Sequence, residues 1–336
     1  TSIADYTFEY MDGLWSVNIS DTVERIGENA FAYCDSLHYI SLGMNAGNMA
    51  DTATEGCRSL ERISVDYNNP FYSTDENALY NEDETELIRY FSGKKDKSFS
   101  VPEGVLVIGD YAFSDSDRLK SVTVPDSVVK IGSYAFSNCD RLGDVTVSDS
   151  VLSIGTEAFG FTKLANDKNN WENGVLYAGN HAVDADPEEI GTSLTVRYGT
   201  VSIADEIFSF SSISNVDVPD TLKFIGTKAF DGTEYFKNTE NRDESGVLYI
   251  GNVLVDADPE KVSGKYIVRE GTKSVSAYAF DDCNKLTGIE FPDSVVAIGD
   301  WAFDYLALES AVLPARVKYV GEHAFWNAGF REIKIP

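Results

Sequence analysis

The chain has little of what most reactive sites are built from. Its 336 residues include four cysteines, three histidines, three methionines and four tryptophans, and 27 basic residues stand against 55 acidic ones. His38, His181 and His323 fall in unrelated stretches, so spacing assembles no Cys–His or Ser–His–Asp set. No C-x-x-C pair, phosphate loop, G-x-G-x-x-G or H-E-x-x-H occurs. Neither a metal site, nor a cofactor, nor a catalytic constellation is therefore expected. No apolar run approaches the roughly 20 residues of a membrane span. The formal charge of −28 repels nucleic acid and anionic membrane surfaces and favours solubility. The opening Thr1-Ser2-Ile3-Ala4-Asp5-Tyr6 has neither the basic start nor the apolar stretch of a signal peptide. The expectation is a mature fragment whose address signals lie outside it. What the chain does have is apolar mass: 43% of its residues, with 18 Tyr and 19 Phe, enough for a continuous core.

That mass is periodic. The pattern I-G-x-x-A-F appears at Ile26 to Phe31, Ile108 to Phe113, Ile131 to Phe136, Ile154 to Phe159, Ile225 to Phe230, Ile298 to Phe303 and, with Val first, Val320 to Phe325. Weaker copies end at Phe8, Phe208 and Phe280, and one nearly erased copy ends at Thr54. Phe8, Phe31 and Thr54 are 23 residues apart, as are Phe113, Phe136 and Phe159. Six residues after the Phe position several copies carry Leu (Leu37, Leu60, Leu119, Leu142, Leu286), then alternating β-branched residues such as Val122 and Val124. Period-2 alternation over so short a run predicts a half-buried strand, and Pro-Asp or Ser-Asp ends it. Phe and Ile are core residues, Ala fits where layers approach, and Gly permits a turn that a Cβ resists. One such unit cannot bury its own Phe and Leu, but stacked units cover one another. The expected fold is an α/β solenoid, with strands in a parallel sheet on one face and I-G-x-x-A-F as a helical turn on the other.

The full pattern, I-G-x-x-A-F-x-x-C-x-x-L-x-x-V-x-V-P, resembles the BspA-type leucine-rich repeat over most of the chain. That resemblance implies a curved, right-handed leucine-rich-repeat superhelix from a bacterial surface or secreted protein. Family members are often adhesins for matrix proteins or other cells.

Three segments break the period, at about 66–101, 165–200 and 235–272. They share Glu76-Asn77-Ala78-Leu79-Tyr80, Glu172 to Tyr177 and Glu244 to Tyr249, each followed by a second β-prone stretch. They are expected to be β-hairpin insertions within one array spanning 1–336, serving as binding loops or as elaborated repeats. Two carry Asp-Ala-Asp-Pro-Glu, at Asp184 to Glu188 and Asp256 to Glu260. A solvated turn fits these better than calcium, whose known loops space their ligands differently.

Cys34, Cys57, Cys139 and Cys283 each follow the Phe column by three residues, where other copies carry Ser, Thr or Met. They are expected as buried free thiols, because side chains in one column point the same way. A disulfide needs Cβ atoms about 3.8 Å apart. Two surface columns remain. Outward strand positions Tyr39, Ser41, Arg62, Ser64, Ser121, Thr123, Asp144, Thr146, Asn215 and Asp217 should line the exposed, concave sheet face, as a binding surface or simply a solvated one. This column is mostly small and polar, without an aromatic cluster. Tyr6, Tyr111, Tyr134, Tyr278 and Trp301 form an aromatic column two residues before Phe, which either binds or packs along itself.

These features point to a non-enzymatic binding or adhesion module, extracellular or cell-surface, with a protein or glycan partner and no nucleic acid or membrane insertion. The alternatives are a spacer displaying another domain and, least, an enzyme.

Overall fold

A computed structural model describes residues 1–335, apart from the Ser310 side chain. Its contacts divide into two compact units: Thr1–Val151 with Gly155–Trp171, and Leu152–Ile154 with Glu172–Pro336. Each is a parallel β-solenoid. A typical coil contributes a two-residue entry strand, the turn I-G-x-x-A-F, and a longer face strand, whereas after the turns at Ile154 and Ile225 the short helices Lys163–Asn166 and Glu234–Lys237 follow instead of a face strand.

In the first unit the face strands Ser16–Asn18, Tyr39–Leu42 and Arg62–Val65 pair in parallel, and Val17, Ile40 and Ile63 share a row. A second set, Ser98–Ser100, Ser121–Val124 and Asp144–Val147, does the same through Phe99, Val122 and Val145. In the second unit Ser193–Thr195 pairs with Asn215–Asp217, Gly264–Ile267 with Leu286–Glu290, and Ser310–Val312 with Glu332–Lys334. The Phe column forms the core of each coil. Centroids are 5.4 Å apart for Phe8–Phe31, 4.8 Å for Phe113–Phe136 and 5.0 Å for Phe280–Phe303, with near-parallel rings. Offset stacking of this kind adds about 1 kcal/mol per pair beyond area burial.

The turn is a run of bonds closed three residues apart, such as Ala30 N–H to Gly27 O and Ala32 N–H to Asn29 O. It departs from a helix at two places per coil. The residues two before and two after Phe are left-handed: Tyr111 (φ 55°) and Asp115 (φ 60°), Tyr134 (55°) and Asn138 (57°), Trp301 (57°) and Tyr305 (53°). This geometry turns alternate N–H groups along the stack. Tyr111, Phe113 and Asp115 donate to the carbonyls of Ser133, Ala135 and Ser137, at 3.0, 2.7 and 3.1 Å.

The motif glycine has a different task from the one its sequence suggests. It is not left-handed; the left-handed positions are filled mostly by ordinary residues, with glycine only at Gly56 and Gly232. Its role is close approach: a Cβ on Gly132 would lie 2.6 Å from the Asp110 backbone nitrogen and against the Asp110 carboxylate. That carboxylate accepts the Ser133 N–H at 2.8 Å, and Asp205 and Asp300 do the same for Thr227 and Glu322.

The three interruptions contain the expected antiparallel hairpins: Ala78–Asn81 with Glu86–Tyr90, Val175–Ala178 with His181–Ala185, and Val247–Ile250 with Val253–Ala257. Each hairpin's second strand is also the entry strand of a coil. Leu87 pairs with Ile108, Ala182 with Ile203 and Leu254 with Val275, in parallel. The strands 98–100, 193–195 and 264–267 then complete these coils on the face. The interruptions are thus hidden coils that keep both strands and lose the turn. In the first, Tyr90 takes the place of Phe and stacks on Phe113 at 5.2 Å.

All four cysteines are buried free thiols. Cys57 donates its S–H to Phe31 O at 3.0 Å and Cys139 to Phe113 O at 3.1 Å, while Thr162 and Thr233 donate from the same column. Burial pushes the Cys57 and Cys283 thiols up to about 12, because the thiolate would lose its hydration.

Gly132→Ala should destabilise the chain by about 2 kcal/mol through overpacking. Gly13→Ala, where nothing lies within 4 Å of the new methyl, should change stability by less than about 0.5 kcal/mol. Urea midpoints of the two variants test this. The thiols set an alkaline limit. An unfolded cysteine ionises near its ordinary value, whereas Cys57 stays protonated in the fold up to about 12. Stability should therefore be intact below about pH 8.5 and fall as pH rises from there toward 12. Urea midpoints at rising pH should show a smaller loss in Cys57→Ser than in the parent chain.

Candidate binding face and cleft

The outward strand positions fall into rows. Tyr39 lies beside Arg62 and Ser41 beside Ser64; Ser121 lies beside Asp144 and Thr123 beside Thr146. In the second unit Asn215 and Asp217 lie beside Ser193 and Thr195. Tyr39, Arg62, Thr123, Asp144, Thr146, Asn215 and Asp217 are exposed, while Ser41, Ser64 and Ser121 are half-buried.

This face is not uniformly small and polar. Trp15 is 56% exposed, and its ring packs 5.5 Å from His38 and 5.0 Å from Tyr39. The Tyr39 hydroxyl donates to Glu61 Oε2 at 3.1 Å, and that charged acceptor raises it above the ordinary tyrosine range. Trp15, His38, Tyr39 and Arg62 thus make one patch on the first three coils. Sequence reasoning overlooks it because Trp15 and His38 lie one residue before the strand, outside the alternating positions compared. Their 23-residue spacing is the available signal.

The aromatic column two residues before Phe stacks from coil to coil. Tyr111 and Tyr134 are 5.1 Å apart, Tyr278 and Trp301 6.4 Å, and Trp301 and His323 4.2 Å with planes 8° apart. Tyr6, on the first coil, is 55% exposed. Left-handed backbone projects each of these side chains at the turn edge. A second column, two residues after Phe, is also left-handed and holds the exposed Tyr10, Phe161, Phe210 and Tyr305.

In the first and third hidden coils, each of which lies within one unit, the missing turn leaves a layer between the turns on either side. In the first unit this layer is filled. Arg89, 3% exposed, donates to the carbonyls of Asp51 and Tyr111 and to Ser114 Oγ. Asp115, equally buried, accepts from Gly56 N at 3.1 Å and from Arg58 at 3.2 Å. In the second unit the corresponding layer is an open cleft of about 390 Å³ between the turns 226–231 and 276–281. A broader hollow of about 790 Å³ lies over the last face strands, where Lys265 and Glu290 form an ion pair across neighbouring rows.

Removing the Arg89 guanidinium leaves buried carbonyls without their donor. Arg89→Met should therefore lose about 3 kcal/mol in a urea titration, whereas Arg62→Met on the exposed face should lose less than about 0.5 kcal/mol.

A sequence profile of the BspA type leucine rich repeat region matches residues 1–92, 88–183, 191–253 and 264–336. A search of curated proteins finds no match. Three solved bacterial structures are similar in fold. The pneumococcal vaccine antigen PcpA is 18% identical over 86% of this chain and 70% of its own, with a TM-score of 0.43. A leucine-rich repeat protein of Eubacterium ventriosum is 16% identical over 100% and 82%, with a TM-score of 0.37. A leucine rich cell surface protein of Faecalibacterium prausnitzii is 25% identical over 80% and 89%, with a TM-score of 0.31. Among the described residues no helix is long and apolar enough to cross a membrane.

Proposed function

The chain belongs to the BspA-type leucine-rich repeat family, and from that premise we propose that it is a non-enzymatic binding module of a bacterial surface or secreted protein. On this reading the residues 1–336 form a single array. It engages an extracellular protein or glycan through the outward strand face of its first coils. One observation carries the reading: the exposed patch of Trp15, His38, Tyr39 and Arg62. Trp, Tyr and Arg supply most binding hot spots, because they bury large rigid area and keep a polar handle. Elsewhere on the face Ser121, Thr123, Asp144 and Thr146 offer hydrogen bonding without such an anchor. They suit the polar rim of a contact centred on the patch. The charge of −28 directs the choice of partner toward neutral or basic surfaces.

The test is an array of matrix proteins and glycans probed with the intact chain. Trp15→Ala with Tyr39→Ala should weaken the strongest interaction by about 30-fold or more, the effect of losing a hot spot. Ser121→Ala with Thr146→Ala should weaken it less than about threefold. No ligand above background, or a ligand indifferent to Trp15 and Tyr39, overturns the proposal.

A further inference from the structure

The filled layer of the first unit and the open layer of the second are the same position in two hidden coils. Arg89 pairs across its hairpin with Leu79, and Asp256 pairs across its own with Leu248. Both hairpins shift register at the next residue, between Leu79 and Tyr80 and between Leu248 and Tyr249. In the first unit the side chain at this position is a guanidinium, held between the two flanking turns by backbone carbonyls. In the second it is a carboxylate, and the space a guanidinium would fill is an open cleft.

The walls of that space are suited to a cation. Its lining includes Lys228, Asp231, Asp256 and Asp281, three carboxylates against one ammonium, beside the aromatic rings of Phe230, Phe236 and Tyr278. Arg242 already engages Asp256 from the hairpin side and also donates to Gly246 O at 3.2 Å. The Asp231 and Asp281 carboxylates have no hydrogen-bond or ion-pair partner among the described residues. The Lys228 ammonium lies 5.8 Å from the Tyr278 ring centre, so that ring face already accommodates a cation. Ser276 Oγ bonds to Ile225 O at 3.1 Å and ties the two walls at one end, which fixes the width of the cleft.

We propose that this cleft binds the guanidinium of an arginine side chain presented by another protein, taking in from outside the group that Arg89 supplies internally in the first unit. Asp231 and Asp281 would pair with the guanidinium, and the Tyr278 ring would cover its face. The inference does not rest on the proposed role of the Trp15 patch.

The test is a calorimetric or NMR titration of the full chain with acetyl-Gly-Arg-Gly-amide, beside the same peptide carrying citrulline, which keeps the shape and loses the charge. The arginine peptide should saturate the cleft and the citrulline peptide should not. Asp231→Asn and Asp281→Asn, both at the surface, should each weaken binding by about fivefold, the scale of an exposed ion pair. Lys228→Gln, which removes the competing ammonium, should tighten it. Trp15→Ala should leave it unchanged, so failure of the strand-face reading and failure of this one are separable. Equal binding of the citrulline peptide overturns the proposal. So does the absence of saturation up to about 10 mM, or weakening by Lys228→Gln, which would mark the cleft as an anion site.

Discussion

Everything in this solenoid depends on the hydrogen bonds that pass from one turn to the next. A strand can pair with the strand above it because its N–H and C=O groups already point sideways. A helical turn cannot, since its groups point along its own axis. The turn I-G-x-x-A-F solves this by alternating handedness. With left-handed residues two before and two after Phe, the N–H groups at those positions and at Phe itself point at the next coil. Left-handed backbone costs a residue with a Cβ about 1–2 kcal/mol, and the chain accepts this twice in most of the coils that keep the turn. The return is that the turn edge holds coil to coil as the strands do, and the Phe rings stack at about 5 Å with no gap.

The same constraint explains which positions vary. Most left-handed residues at the turn edge lie outside the Phe core, so their identity matters little to it; Asp115, buried beside the first hidden coil, is an exception. Tyr, Glu, Lys, Trp and His all occupy the position two before Phe, and Tyr, Asp, Asn, Phe and Gly the position two after. Gly132 has no such freedom, because the neighbouring coil's backbone occupies the place of its side chain. The edge is therefore a display surface on a fixed backbone, and aromatic residues collect there without strengthening the core.

Much of this is legible in the sequence. Columns separated by 22 or 23 residues report identical environments, so spacing alone marks Phe, Leu and the cysteine column as core and places the outward strand positions in rows. Three features are not legible. The motif glycine suggests a turn, because proximity to a coil 23 residues earlier leaves no trace in its own neighbours. The Trp15–His38 contact depends on residues just outside the strand alternation. The hidden coils look like departures from the period because their core residues follow another spacing. Leu87, Ala182 and Leu254 stand 21 residues before the entry positions they pair with.

The hidden coils also show how a repeat fold can acquire a site. A coil that keeps its strands but drops its turn preserves both sheets and removes one layer of the opposite edge. The exposed walls are two turns whose backbones were made to pair with a layer that is gone, so carbonyls and carboxylates face the space. Burying such acceptors unpartnered is unfavourable. The chain can fill the layer with a donor of its own, and a guanidinium suits this well, since it carries five N–H groups in a planar fork. Arg89 takes that course. Alternatively the layer can stay wet and collect acidic side chains, as it does between Lys228 and Asp281. A single position opposite the hairpin leucine, Arg89 in one coil and Asp256 in another, separates a structural staple from an open cleft.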